Sequence, residues 1–290
     1  MIDVSIETVN QEDEKFERFK NSIQVNLPVI FLGGAGKNVM LKFQKILKNH
    51  FEKDRSLNNV IPIYMNTMEL DPGIDVHVTS IIIKSDILNG NKDTNREIKI
   101  GEKLFDKIFK TNERQNFANE FIKTLYNADG LYMVSAIGGG FGSAFVLKIT
   151  EFFTEIHQVK ATYFEKAKKV SYSYPWVNLY LIKPFNQEDS PINFNQYLEN
   201  FKKVHNPRIN IKEFHNDQIL ANFNPNMRFS DYLDQINDKI ANTVMSDIIN
   251  MNKMWKNAYT DYLIPSERNG PKNIKTIFSE CYIPSVQKIK

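Results

Sequence analysis

The chain has one cysteine, Cys281, among 290 residues. A single thiol can neither close an internal disulfide nor build a cysteine zinc cluster, and such sparing use fits a reducing cytosol. No apolar run approaches the ~18 residues of a membrane span, and the first twenty residues are polar and acidic, so neither a spanning helix nor a secretory signal is expected. Neither sign of charge dominates. The 37 Lys and Arg against 34 Asp and Glu leave +3, too mild a balance to make nucleic acid the main partner. The five histidines (His50, His77, His157, His205, His215) are scattered, so no metal or nucleophilic constellation forms in the sequence. Hydrophobic residues at 42% and aromatics at 12% supply a full core, which excludes wholesale disorder.

Glycine is also scarce, with 12 in the chain. Seven of these fall in two clusters: Gly33, Gly34 and Gly36, then Gly138, Gly139, Gly140 and Gly142. Each cluster follows an apolar, strand-like run (LPVIF; GLYMVSAI) and precedes a run with apolar residues at helical spacing (VMLKFQKILKNHF; AFVLKITEFFTEI). A strand, a glycine turn and a helix N-terminus place backbone N–H groups and a helix dipole around an anion. Tight turns use glycine too, but two such junctions in one chain point to a phosphate-bearing ligand. A P-loop is excluded, because Asn38 follows Gly36-Lys37 and Phe31 stands where the first glycine belongs. A dinucleotide fingerprint is excluded as well, since neither glycine nor alanine stands three residues after Gly36.

The sequence Gly33-Gly34-Ala35-Gly36-Lys37-Asn38-Val39 resembles the first phosphate loop of the tubulin/FtsZ superfamily, and Gly138-Gly139-Gly140-Phe141-Gly142-Ser143-Ala144 resembles its glycine-rich signature loop. Further matches follow in order. Ile63-Tyr64-Met65-Asn66-Thr67 resembles the strand ending in the second nucleotide loop. Leu181 to Glu188 is similar to the strand and Pro184-Phe185 loop whose glutamate, here Glu188, approaches the ribose. Leu220 to Asn226 is similar to the strand and Pro-Asn turn before the central helix, and Phe229 to Lys239 to the start of that helix, where Asn237 would read the guanine edge. The Asn224-Pro225-Asn226 turn and Tyr262-Leu263-Ile264-Pro265 are most like the divergent tubulins of large bacteriophages.

The resemblance implies an α/β fold: a parallel-sheet, tubulin/FtsZ-type nucleotide-binding domain with a long central helix and a reduced or absent second domain. It implies GTP or GDP as ligand, with Mg2+ as a companion ion, and filaments built head to tail from copies of the chain or of a related tubulin-like protein. The setting it implies is the cytoplasm of a phage-infected or plasmid-bearing bacterium. It also implies hydrolysis completed by acidic residues of the next subunit; Asp247 and Asp261 are the nearest candidates, though neither lies in a paired acidic motif. Two departures weaken turnover. Phe141 stands where a phosphate-bonding hydroxyl is usual, and Met68 where a carboxylate is usual, with Glu69 or Asp71 as substitutes.

Read without the family, each of these side chains has a plainer account. Asn38 can cap a helix or touch a phosphate. Glu188 and Asn237 can be solvated polar positions, Leu233 or Tyr232 can cover a base or pack in the core, and an isolated aspartate on a helix is usually a surface charge. The organisation read from the sequence is a charged helical lead-in over 1–26, the nucleotide-binding domain over 27–228, the central helix over 229–250 and a short segment over 251–290. Within it, 85–103 reads as a polar loop at the place of a third phosphate loop.

Overall fold

The computed structural model describes residues 26–51, 60–70, 78–88, 94, 96–110, 115–168, 175–184, 193–206, 208–216 and 227–268, from 254 by backbone alone, plus two short strands, β1 (Ile23–Gln24) and β8 (Gln287–Lys288), which pair antiparallel. At the centre lies β2 (Leu27–Leu32), whose six residues are all buried. A run apolar on both faces suits only a strand covered on both sides, and such strands belong to parallel sheets. The sheet also holds β3 (Val60–Asn66), β4 (Thr79–Ile82), β5 (Gly130–Ala136), β6 (Trp176–Lys183) and β7 (Ile209–His215), in the order β4-β3-β2-β5-β6-β7 with every pair parallel.

Side-chain alternation divides the interior into two cores. Ile30, Leu32, Met133 and Leu181 face one layer, built from α2 (Ile98–Lys110), α3 (Gln115–Tyr126), α4 (Gly140–Lys168) and α5 (Phe194–Lys202). Val29, Phe31, Tyr132 and Tyr180 face the other, built from α1 (Gly33–Phe51) and α6 (Phe229–Arg268). In α6, Tyr232, Ile236, Ile240, Val244 and Ile248 repeat at helical spacing and bury one stripe.

Two features differ from the sequence reading. Residues 85–103 are not one loop, because α2 begins at Ile98 and its Gly101 lies at a helix crossing: a Cβ there would stand 2.6 Å from the Ala144 Cβ and 2.7 Å from the Gly140 carbonyl oxygen. The central helix does not end at 250 but runs on to Arg268, 40 residues in all. The strand expected at 220–223 lies outside the described residues, and the sheet's sixth strand is β7.

His157, on α4, is fully buried, and its Nε2–H donates to the Leu125 carbonyl at 3.2 Å. Burial, reinforced by the neighbouring Lys160 ammonium, lowers its pKa to about 3 from the ordinary 6.5. Between those values the unfolded chain binds a proton that the folded chain refuses, so stability falls as pH falls through that window. Moving from pH 7 to pH 5 is expected to cost about 2 kcal/mol through this residue. Denaturant unfolding at both pH values checks this: His157→Gln should lose about that much less than the parent. An identical loss in the two proteins would clear His157 of any part in acid sensitivity.

Candidate nucleotide site

The chain runs from β2 outward to β3 and β4, then returns to β5 and runs the other way to β6 and β7. The reversal lies between β2 and β5, which pair side by side. In an open parallel sheet, the crevice at the carboxyl ends of the strands flanking such a reversal is where ligands bind. Both glycine clusters open onto this crevice. Gly33 follows Leu32 at the end of β2 and starts α1; Gly138 and Gly139 lie between the end of β5 and the start of α4. Because α1 and α4 cover opposite faces of the sheet, the two junctions border the crevice from both sides.

The glycines serve two different purposes. Some are demanded by protein packing. A Cβ on Gly36 would lie 2.8 Å from the Phe31 carbonyl carbon, and one on Gly142 would lie 2.6 Å from Ser135 Oγ. At Gly140 it would lie 2.5 Å from the Glu97 carbonyl oxygen and 2.6 Å from the Glu97 nitrogen. By contrast, among the described residues a Cβ on Gly33, Gly34 or Gly139 would meet no atom within 4 Å. Gly33 still needs its freedom, since its φ is +69°. Gly34 and Gly139 have no such internal reason, and a bare backbone there leaves room for close approach by a ligand. Neither α1 nor α4 carries an acidic residue in its first turn, so neither helix compensates the positive end of its own dipole. Beside the crevice, Thr67 follows the end of β3; it is 7% exposed and its buried hydroxyl has no hydrogen-bond partner among the described residues. An orphaned hydroxyl is costly unless something satisfies it. These features fit a polyanion held by the β2–α1 and β5–α4 loops.

The remaining candidates divide. Asn38 is exposed on the first turns of α1, while Ala35 and Lys37 are half-buried there. Asn66 is tied up internally: its Nδ2 donates to the Tyr64 hydroxyl at 2.7 Å, and its Oδ1 accepts from the Thr67 N–H at 2.8 Å. Ser143 is buried and accepts from the Gly138 N–H at 3.3 Å, so its hydroxyl shapes the loop. Phe141 turns into the core and stacks on Phe145 with centroids 4.1 Å apart. Only its backbone faces the loop. Pro184, Leu233 and Asn237 are half-buried. Tyr232 is a core residue whose hydroxyl donates to the Asn216 carbonyl at 2.6 Å. Met68 is 46% exposed, and Glu69 pairs with Lys84. Glu188, Asn226 and Asp71 lie outside the described residues, as does the side chain of Asp261.

Asp247 is engaged elsewhere. It receives the Tyr180 hydroxyl at 2.6 Å and the Lys212 ammonium at 2.6 and 2.7 Å, tying α6 to β6 and β7 beneath the sheet. Burial and this carboxylate raise the Tyr180 pKa, so the hydroxyl stays protonated and donates. That geometry gives Asp247 a structural pairing. Among the described residues no three His, Cys, Asp or Glu side chains gather in a way that could hold a metal ion.

The arrangement of sheet, crevice and long helix matches solved structures. FtsZ from M. jannaschii, an empty dimer, superposes with a TM-score of 0.55 at 16% identity, covering 80% of this chain and 57% of that one. CetZ2 from Haloferax volcanii, a GTPγS-bound protofilament, gives 0.54 at 16% identity, covering 76% and 57%. The tail-truncated TubZ of Clostridium botulinum phage c-st gives 0.50 at 17% identity, covering 81% and 62%. The chain has the tubulin/FtsZ fold. It spans little more than half the length of the archaeal chains it matches. No family model matches the sequence, and no curated protein does. What the sequence of this tubulin/FtsZ-type sheet does not display is the packing around its second glycine loop. The residues pressed against the second glycine loop, Thr94 and Glu97, come from the polar 85–103 stretch, and only the Gly101–Ala144 pair of small residues signals the crossing that brings them there.

Proposed function

We propose that this chain binds a guanine nucleotide between its two glycine loops and assembles head to tail into filaments, with itself or with a related tubulin-like protein. One observation carries the reading: two glycine junctions meet at the topological reversal of a parallel sheet, with open space among the described residues where a Cβ on Gly34 or Gly139 would stand. Backbone N–H groups of 33–35 and 139–142 would hold the phosphates, Thr67 would donate to one of them, and Asn237 would pair with the base edge. Mg2+ would come bound to the phosphates rather than to a protein cage. The GTPγS-bound protofilament of CetZ2 and the likeness to a phage TubZ support nucleotide, assembly and a phage-infected bacterial cell as the setting.

The exposed apolar side chains fit the same reading. Among the described residues the large ones are Met68 and Phe229 at the carboxyl end of the sheet, and Tyr126, Val159, Tyr163 and Trp176 at the opposite end. Two different apolar ends make a heterologous contact, which propagates as an open filament unless it closes into a ring. Val159 and Tyr163 are 70% and 57% exposed, so aspartate at both positions should leave the fold intact. The double variant Val159→Asp, Tyr163→Asp is expected to abolish assembly, read by light scattering, while GTP binding persists. Unchanged scattering would remove this end from the contact.

A second reading is favoured by Asp247. With that carboxylate held by Lys212 and Tyr180, and with α6 unbroken where an acidic loop is expected, the fold would serve as a non-hydrolysing structural component of a larger assembly. Phosphate release from GTP against protein concentration, with scattering on the same samples, separates the two. Release that starts with scattering above a threshold supports the first reading; scattering or stable binding without release supports the second.

A further inference from the structure

We propose that Lys42 is a positioning residue that sets the spacing between the two helices bordering the nucleotide, and so controls how well the base end of the ligand is held. The proposal rests on the nucleotide reading above and deepens it.

Helices α1 and α6 lie side by side on one face of the sheet, joined by Val39, Met40 and Phe43 on one and Tyr232, Ile236 and Ile240 on the other. The first turns of α1 form one glycine loop, and the first turns of α6 carry Leu233 and Asn237. Lys42 bridges the pair close to that mouth. Its Nζ lies 2.5 Å from Asp234 Oδ2, 192 residues away in sequence, and 3.4 Å from Asp238 Oδ2. The lysine side chain is only 18% exposed, while the two carboxylates are 62% and 48% exposed. The clasp therefore has its cation half-buried between the helices and its anions at the rim.

Asp234 and Asp238 are four residues apart, so they share a face of α6 and repel one another unless a cation lies between them. The Lys42 ammonium is that cation, and its hydrogen bond to Asp234 holds its pKa above the ordinary lysine value. The same two aspartates flank Asn237 in sequence, at three residues before it and one after. A rotation of α6 that broke the clasp would swing Asn237 with it. Ion pairs of this exposure add little to stability. Their geometry is specific all the same, since one half-buried cation facing two carboxylates favours the rotational setting of α6 against α1 in which both are in reach.

The test is binding of GTP and of inorganic tripolyphosphate to the parent, to Lys42→Met and to Lys42→Arg. Tripolyphosphate engages the glycine loops without a base, so it isolates the phosphate end. Lys42→Met is expected to weaken GTP roughly tenfold and leave tripolyphosphate unchanged, with Lys42→Arg within about twofold of the parent. The double variant Asp234→Asn, Asp238→Asn, altered only at exposed carboxylates, should show the same split and covers the case in which Lys42→Met folds poorly. GTP affinity unchanged in both Lys42→Met and the double variant overturns the inference. So does an equal loss for GTP and tripolyphosphate, which would make the clasp a general prop of the fold. A parent protein that binds neither ligand overturns the nucleotide reading itself, a failure distinct from the other two.

Discussion

Gly139→Trp is expected to abolish nucleotide binding while leaving the unfolding midpoint where it is. Among the described residues a Cβ at 139 meets no atom within 4 Å, so the indole enters the crevice and not the protein. It would fill the space between the β5–α4 loop and the phosphates, where backbone N–H groups have to come within hydrogen-bond distance of the ligand. A loss of roughly a hundredfold or more, near 2.7 kcal/mol, is expected. Titration of a fluorescent GTP analogue, beside thermal unfolding of the same samples, reads both halves of the result. Intact binding in the variant would sink the assignment of this loop.

The neighbouring glycine should behave in the opposite way. At Gly140 even a methyl group would lie 2.5 and 2.6 Å from the Glu97 backbone and 2.5 Å from the Thr94 hydroxyl. Backbone atoms cannot rotate aside as a side chain would, so the turn before α2 must move away from α4. Gly140→Ala is expected to destabilise the protein by about 3 kcal/mol, well beyond the small gain that alanine brings at a helical position. Urea unfolding would read this directly, and a midpoint equal to the parent's would show that the 94–97 turn yields easily. Two adjacent glycines, one proposed to serve the ligand and one serving the packing, are thus separable by one pair of variants.

What the sequence made legible and what it hid follow from the range of the interactions involved. The β2–α1 and β5–α4 junctions were readable because every cue is local: an apolar run, a glycine cluster, then apolar residues at helical spacing. β7 was not. Its INIKEFH alternates polar with half-buried residues, as suits the outermost strand in the described sheet, and Lys212 and Glu213 within it read as surface. The start of α2 was lost in a polar stretch whose order depends on Gly101 pressing against Ala144. The continuation of α6 past 250 was masked by Asn250, Asn252 and Asn257, weak helix formers that this long helix carries all the same. In the site, the glycines were visible, but Phe141 turning inward onto Phe145 and Asn66 spanning Tyr64 and Thr67 are decisions of tertiary packing. The Lys42 clasp joins residues 192 apart, and no pattern along the chain announces it.

The 40 residues of α6 make a rod about 60 Å long, more than twice the length of the strands it crosses. Stiff rods convert angle into displacement. If its first turns tilt by a single degree, the far end at Arg268 travels about 1 Å. A change too small to alter any contact at the crevice becomes, at the other end of the molecule, a step as large as those that distinguish one packing arrangement from another.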